Sequence, residues 1–250
     1  MRTTCLSLMM VMLFVAGCAG TRRNQRASGI PATPVQEPEI KPIADPLEPV
    51  NRVVFQFNDK LYFWVIKPTA QGYKFVTPKI ARRGVKNFFT NLAMPIRAVN
   101  CLLQADLKRT GIELGRFGVN TTVGVLGFGD PATGWGLKRQ REDFGQTLGN
   151  LGLGPGIYIV WPVFGPSSVR GTARLVGDAL LYPITYYPPS SAARIGLRVY
   201  DRVNRVSLRI GDYESIKEDS LDPYVAFRNG FHQHREHMVR RHGEQNGSEK

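Results

Sequence analysis

The first element that the pattern of apolar and polar residues predicts is a long helix between Asp45 and Pro68. Apolar residues recur there at steps of three and four, the spacing of one face of an amphipathic helix: Val50, Val53, Val54, Phe57, Leu61, Trp64 and Val65. Others widen the apolar arc, namely Phe55, Tyr62, Phe63 and Ile66. Asp45 is predicted to cap the helix, and Lys67 and Pro68 to end it. A helix that is apolar on more than one side belongs either in the centre of a large core or partly in lipid.

Further helices are predicted over 78–89, over 95–103, from a cap at Asp106 to about Val119, and over 192–208. Basic residues mark the first and the last of them: Lys79, Arg82, Arg83 and Lys86, and then Arg194, Arg198, Arg202 and Arg205. Both groups fit contacts with lipid headgroups, and both fit a solvated basic surface. The arginines of the last helix also fit a protein partner.

The segment 117–170 is apolar, non-repeating and rich in glycine. Glycine inside a helix costs about 1 kcal/mol relative to alanine. Its glycines therefore indicate close-packed or irregular backbone: Gly124, Gly127, Gly129, Gly149, Gly152, Gly154 and Gly156. Such a sequence fits a lipid-facing or lipid-conducting element, in which Gly145 to Gly156 would shape a narrow passage. It fits equally a core made of loops and short helices.

The N-terminus has the pattern of a bacterial lipoprotein signal. An apolar stretch from Leu6 to Ala16 is too short to span a bilayer and ends in small residues directly before Cys18. We predict a signal peptide over 1–17 and acylation of Cys18, which becomes the first mature residue. Ala19 follows, and similarity to outer-membrane lipoproteins of Gram-negative bacteria implies sorting to that membrane. Residues 18–44 are polar and proline-rich, so we predict a flexible tether.

Composition and charge narrow the function classes. The chain has 250 residues, of which 42% are hydrophobic, and a formal net charge of +13. The hydrophobic content is ample for a core, and the charge indicates either nucleic acid or an anionic membrane surface as partner. Because the predicted signal directs the chain out of the cytoplasm, we expect a membrane partner and no nucleic acid.

Candidate catalytic and metal-binding groups are sparse. Cys101 is predicted to be a small buried apolar residue, since the other cysteines belong to the signal or carry lipid. The histidines crowd the C-terminus, and around His232, His234 and His237 the only further ligand is Glu236, so no metal or cofactor is predicted.

A lipid hydrolase is one alternative function, and its nucleophile would have to be a serine. Ser167 and Ser168 follow Gly165 and Pro166 without a G-x-S-x-G motif or an evident strand-turn-helix context, and every histidine lies far along the chain. We therefore predict that the protein is not an enzyme. A structural envelope lipoprotein is the other alternative, which the basic charge allows.

Sequence blocks in consistent order between Asp45 and Arg235 resemble the MlaA (VacJ) family of outer-membrane lipoproteins. The blocks are DPLEPVNR from Asp45, FQFN from Phe55, VKNFF from Val85, NTTVG from Asn120, DFGQTLG from Asp143, GPSS from Gly165 and DPY from Asp222. Many blocks in order are far more specific than a single glycine pattern. One position departs from the family. Members usually have an aspartate directly after the position of Arg170, where this chain has Gly171.

The resemblance implies a mainly α-helical, ring-like domain over 45–240, embedded in the inner leaflet of the outer membrane around a central amphipathic channel, followed by a disordered tail over 241–250. It also implies a function: removing mislocalised phospholipids from the outer leaflet of the outer membrane and passing them to a periplasmic lipid-binding protein of the Mla pathway, while bound to a trimeric porin. The candidate residues for the lipid passage or the membrane-facing surface are Phe55, Phe57, Asn58, Leu61, Phe144, Gly149, Gly152, Gly154 and Tyr158.

Overall fold

A computed structural model describes residues 43–247, with side chains described as far as Arg241. The predicted signal peptide, Cys18, Ala19 and nearly all of the predicted tether lie outside this range. In chain order the helices of the described part are α1 (Glu48–Leu61), α2 (Lys67–Val76), α3 (Lys79–Leu92), α4 (Met94–Leu103), α5 (Leu107–Thr122), α6 (Pro131–Gly134), α7 (Phe144–Asn150), α8 (Val169–Leu181), α9 (Ser191–Ser207), α10 (Asp212–Glu218) and α11 (Pro223–Gly247). A hairpin of β1 (Tyr158–Trp161) and β2 (Gly165–Ser168) precedes α8. The predicted mainly helical fold is confirmed.

The first helix differs from its prediction at both ends. It begins at Glu48, and Asp45 does not cap it, because the Asp45 carboxylate instead accepts hydrogen bonds from Asn51 at 2.8 Å and Arg228 at 3.1 Å. The helix also does not end at Pro68. A π-helical turn over Tyr62–Ile66 leads directly into α2, so that Pro68 lies in the first turn of α2.

The predicted helices from α3 to α5 and at α9 are confirmed, and Asp106 caps α5 by accepting from the Arg109 N–H at 2.9 Å. Arg82 does not belong to the basic surface predicted for α3. Its buried guanidinium donates to the carbonyl oxygens of Thr77 at 3.0 Å and Ser207 at 2.6 Å. Because Ser207 is the last residue of α9, Arg82 satisfies a carbonyl that the helix end leaves free.

The hairpin is antiparallel, with Tyr158 opposite Ser168 and Trp161 opposite Gly165. Side-chain amides of α1 bind its strand β1 and the turn. Asn51 donates to the Tyr158 carbonyl at 3.1 Å and accepts from the Val160 N–H at 2.8 Å, so its amide takes the place of a further strand. Four-residue strands are too short to be distinguished by period within an apolar sequence, so the hairpin was not predicted.

The interior is unusually polar, and the surface is unusually apolar. Glu113 is 0% exposed, and its carboxylate binds Arg97 at 2.7 Å and the Gln140 N–H at 2.7 Å. The surface exposes large apolar side chains such as Phe75 at 92% and Ile80 at 83%. Buried charges are tolerated only when they are paired and hydrogen-bonded, and extended apolar surface marks an interaction site or contact with lipid.

The C-terminal helix extends beyond residue 240, the predicted end of the folded domain. It continues to Gly247 and so enters the segment 241–250 that was predicted to be a disordered tail. No proline interrupts the sequence there, and helix-favouring residues such as Glu244 and Gln245 let the helix continue. Among the described helices, none is both long and apolar enough to cross a bilayer.

Candidate functional site: an amphipathic cavity

A cavity of about 440 Å³ opens between the hairpin and the helices α1, α9, α10 and α11. Its walls are largely apolar and aromatic. The residues that carry this character are Phe55, Leu61, Tyr62, Ile66, Val160, Val163, Phe164, Val206, Tyr213, Ile216 and Phe227. The π-helical turn between α1 and α2 contributes both Tyr62 and Ile66 to the cavity.

Aromatic contacts fix one wall of this cavity. The ring of Tyr213 lies 4.5 Å from that of Tyr62 and 4.8 Å from that of Phe227, with which it is stacked. Phe55 extends the group, with its ring 5.8 Å from Phe227. Each such pair contributes roughly 0.5–1.5 kcal/mol beyond the burial of its area, so this wall is well ordered.

Asn58 holds the hairpin turn that forms the opposite wall. Its amide donates to the Trp161 carbonyl at 3.0 Å and accepts from the Val163 N–H at 2.7 Å. Val163 has φ of 69°, a left-handed conformation that is costly for a β-branched residue. The two hydrogen bonds of Asn58 therefore stabilise a strained turn, and that turn places Val163 and Phe164 at the cavity.

Positive charge lines the remaining side. Arg202, Arg205 and Arg209, spaced three and four residues apart, reach the cavity from α9 and from the turn after it. Arg205 is paired with Asp201 at 2.8 Å. Arg202 and Arg209 form no ion pair with any carboxylate in the described part of the chain. The cavity thus combines apolar walls with guanidinium groups that remain available to an anion.

Acidic groups near the cavity are already neutralised. Glu214 pairs with Lys67 at 2.9 Å and accepts from the Tyr62 hydroxyl at 3.1 Å. Desolvation, followed by this hydrogen bond, raises the pKa of Tyr62 to about 12. Asp59 pairs with Lys217 at 2.8 Å and accepts from the Tyr213 hydroxyl at 3.0 Å. Within the described range, Asp212 is the one carboxylate among the residues that line the cavity.

The structure separates the predicted passage residues into two groups. Phe55, Asn58 and Leu61 line the cavity, while Phe57, also on α1, is 52% exposed. The other five do not line it: Phe144, Gly149, Gly152, Gly154 and Tyr158. The cavity arginines were not among the predicted site residues. The regular spacing of arginines on the predicted helix 192–208 was the one feature of the sequence that could have indicated them.

Those five residues have other surroundings. Tyr158 is fully buried in the core with Val160 and Tyr224. Phe144 packs against Gly177, and Gly149 packs against Val239. Gly152 and Gly154 are exposed, and a side chain added at either would have no neighbour within 4 Å.

Valine substitutions at two nearby glycines, Gly154 and Gly156, test this arrangement. Gly154→Val is expected to leave stability and lipid handling unchanged, because its added side chain enters open space. Gly156→Val should lower the free energy of unfolding by more than about 1–3 kcal/mol, because Gly156 has φ of 71° and the new Cβ would lie 2.8 Å from the Val169 Cβ. Denaturant titration of both purified variants checks this. Equal destabilisation, or a transport defect in a stable Gly154→Val protein, would contradict it.

Residues considered for other chemistry are structural. Cys101 is fully buried, as predicted, and burial followed by the charges of Glu142 and Glu113 raises the pKa of its thiol to about 12. Ser168 does stand between a strand and a helix, contrary to expectation, but its buried hydroxyl accepts from the Gly171 N–H at 3.0 Å as the cap of α8. Within the described residues, no group of three or more His, Cys, Asp or Glu side chains is placed to hold a metal ion.

The family model of the MlaA lipoprotein matches residues 43–238, which contain every residue of the cavity. The chain belongs to the MlaA lipoprotein family. It is 33% identical over 196 residues to the intermembrane phospholipid transport system lipoprotein MlaA of Shigella flexneri, with 76% of each chain covered. It is also 36% identical over 200 residues to an uncharacterised protein of Rickettsia felis, covering 79% of this chain and 78% of the relative.

A solved structure is similar in fold. It is described as the structural basis for maintenance of bacterial outer membrane lipid asymmetry, and it matches with a TM-score of 0.69 at 30% identity. The match covers 78% of this chain and 99% of the other. The similarity therefore extends over the whole of the solved MlaA-like domain.

The one departure from the usual MlaA pattern has a local explanation. A Cβ at Gly171 would lie 2.7 Å from the Ser167 Oγ and 3.3 Å from the Ser168 Oγ, so no larger residue fits without a shift of these hydroxyls. Asp178, the next acid along the chain, accepts from the Phe144 N–H at 3.0 Å. In this member of the family, Asp178 thus connects α8 to the start of α7.

Proposed function

We propose that this MlaA family member removes phospholipids from the outer leaflet of the outer membrane and passes them to a periplasmic lipid-binding protein, which maintains lipid asymmetry. The observation that carries the proposal is the cavity, where aromatic walls lie beside Arg202 and Arg209, two guanidinium groups that have no carboxylate partner among the described residues. The Shigella flexneri relative is named for intermembrane phospholipid transport, which agrees with this function.

The chemistry of the cavity matches an amphiphile. Each methylene of an acyl chain that leaves water for the wall of Phe55, Leu61 and Phe227 contributes about 0.8 kcal/mol. A guanidinium bound to a phosphate oxygen contributes about 1.5–3 kcal/mol. A phospholipid satisfies both parts at once, with its phosphate at Arg202 and Arg209 and its chains along the aromatic wall. No bond in the lipid needs to break for it to be carried.

The exposed surface supports a position at the membrane. Trp64, Phe75 and Ile80 expose 74%, 92% and 83% of their area, and the exposed Lys79 and Arg83 lie beside Ile80. Apolar side chains next to cations suit the boundary between acyl chains and anionic headgroups. We propose that this surface enters the inner leaflet of the outer membrane, where the acylated Cys18 anchors the chain and a trimeric porin binds it.

The anchor is tested by replacing its acceptor. Cys18→Ser is expected to abolish incorporation of a clickable fatty acid, because a hydroxyl does not replace the thiol in lipoprotein modification, and to leave the precursor at the inner membrane. Cys101→Ser is the matched control and should label fully, although it lowers stability because Cys101 is buried. Label that persists on the Cys18→Ser protein would refute the assignment.

The function is tested by purifying the full chain from outer membranes in mild detergent and identifying the co-purifying lipids by mass spectrometry. We expect intact phospholipid bound to the wild type and its loss from a variant with Phe227→Asp, which places a charge in the aromatic wall. Lysophospholipid or free fatty acid that accumulates on incubation would restore the hydrolase alternative. A wild type free of lipid would favour a structural envelope lipoprotein.

A further inference from the structure

A second cavity, of about 410 Å³, lies further toward the C-terminal end of α11 and has the opposite character. Its lining is polar and basic, with four arginines and two histidines. Three of its basic residues come from one face of α11, since His234, His237 and Arg241 are spaced three and four residues apart. The opposite wall is the extended segment 139–142, which is preceded in sequence by α6 and followed by α7.

The extended segment is held in place by buried groups. The Gln140 N–H donates to the fully buried Glu113 at 2.7 Å, and the Arg141 carbonyl accepts from the Gln146 side chain. At its end, Asp143 caps α7 and pairs with Arg235 of α11 at 2.7 Å. The two walls of the basic cavity are therefore fixed relative to each other by hydrogen bonds and an ion pair.

The positive charge of the basic cavity is not compensated. Glu142 is the one carboxylate among its described lining residues, and it is paired with Arg109 at 3.5 Å. Arg139, Arg141 and Arg241 form no ion pair with a carboxylate in the part of the chain that the structure describes. Partial desolvation, and then the charges of Arg235 and Arg141, lower the pKa of His234, as expected where positive groups converge.

We propose that the basic cavity binds a phosphate group with two or more negative charges, a phosphomonoester or a diphosphate. Guanidinium groups bind phosphate oxygens through paired hydrogen bonds, and three uncompensated guanidinium groups match a multiply charged phosphate better than the single charge of a phosphodiester. The lining is polar and so offers no wall for acyl chains. This site is therefore distinct in chemistry from the amphipathic cavity that we propose carries phospholipid.

The source of the phosphate is either a soluble compound or a phosphomonoester at a membrane surface. Titration calorimetry of the full chain in non-ionic detergent with pyrophosphate tests the shared chemistry. We expect saturable binding, weakened at least tenfold by Arg141→Glu and by Arg241→Glu, which lie on opposite walls. Arg198→Glu, the same charge change at an exposed residue of α9 that lines neither cavity, should bind like the wild type. Binding should also survive Arg202→Glu with Arg209→Glu, which separates this site from the proposed lipid cavity.

Vesicles distinguish the two sources. Stronger binding to vesicles with phosphatidic acid than to vesicles with phosphatidylglycerol, reversed by pyrophosphate, identifies a membrane phosphomonoester. Pyrophosphate binding without that preference identifies a soluble phosphate compound. The proposal is overturned if the wild type binds neither probe, or if Arg198→Glu weakens binding as much as Arg141→Glu. Arg141→Lys keeps the charge but loses the paired N–H donors of the guanidinium group, so it should bind with intermediate affinity. Thermal unfolding should be unchanged in every variant.

Discussion

Replacing Arg202 and Arg209 together with glutamate is expected to reduce phospholipid transfer from the outer membrane by at least about tenfold without unfolding the protein. Each charge-assisted hydrogen bond to a phosphate contributes about 1.5–3 kcal/mol, and the variant removes two such donors and adds repulsion. Both arginines are exposed and form no ion pair within the described residues, so their loss leaves no buried charge unpaired.

The matched control for this variant is Lys138→Glu with Arg198→Glu. These two residues are also exposed, line neither cavity, and change the net charge by the same amount. Transfer of labelled phospholipid from proteoliposomes to an acceptor protein compares the two variants at equal protein level. An equal loss of transfer in both would show that overall charge, and not the cavity, is responsible.

Glu113→Ala is expected to have the largest effect on stability, lowering the free energy of unfolding by about 3–5 kcal/mol. Glu113 is 0% exposed and binds both the Arg97 guanidinium and the Gln140 N–H at 2.7 Å. Its removal leaves a nearly buried arginine without its carboxylate and a backbone donor without its acceptor. Such groups are costly because burial separates them from water.

Glu218→Ala is the control for Glu113→Ala. Glu218 is exposed at the end of α10 and forms no hydrogen bond or ion pair within the described residues, so its removal should change stability by less than about 0.5 kcal/mol. Denaturant titration of both variants in detergent measures the difference. A loss below about 1 kcal/mol for Glu113→Ala would contradict the role that we give to the polar interior.

The sequence predicted a helix correctly wherever a capping residue and the helical spacing of apolar residues indicated the same segment. Asp106 at the start of α5 is an example, because the capping bond depends only on residues close in the chain. It did not predict that the chain stays helical from α1 through Pro68 into α2, because the π-helical turn between them has no local signal in composition. Arg82 was likewise misassigned, since its buried position depends on the end of α9, more than 100 residues away in the chain.

The candidate site was predicted only in part for the same reason. Phe55, Asn58 and Leu61 lie on a strongly periodic helix, and the structure places all three at the cavity. Gly152 and Gly154 were selected because glycine permits close approach, but whether anything approaches is decided by tertiary packing, and there nothing does. The sequence shows the regular spacing of the cavity arginines. Only the fold shows which of them have no carboxylate partner among the described residues.

The most direct test of phospholipid removal is the fraction of phosphatidylethanolamine exposed at the cell surface, measured with an amine-reactive probe that does not cross the outer membrane. Deletion of the protein should raise the labelled fraction. The wild-type gene should restore it, and the variant with Arg202→Glu and Arg209→Glu should not, although it reaches the same abundance in the outer membrane. An unchanged labelled fraction after deletion, or full restoration by that variant, would contradict transport of phospholipid through the amphipathic cavity.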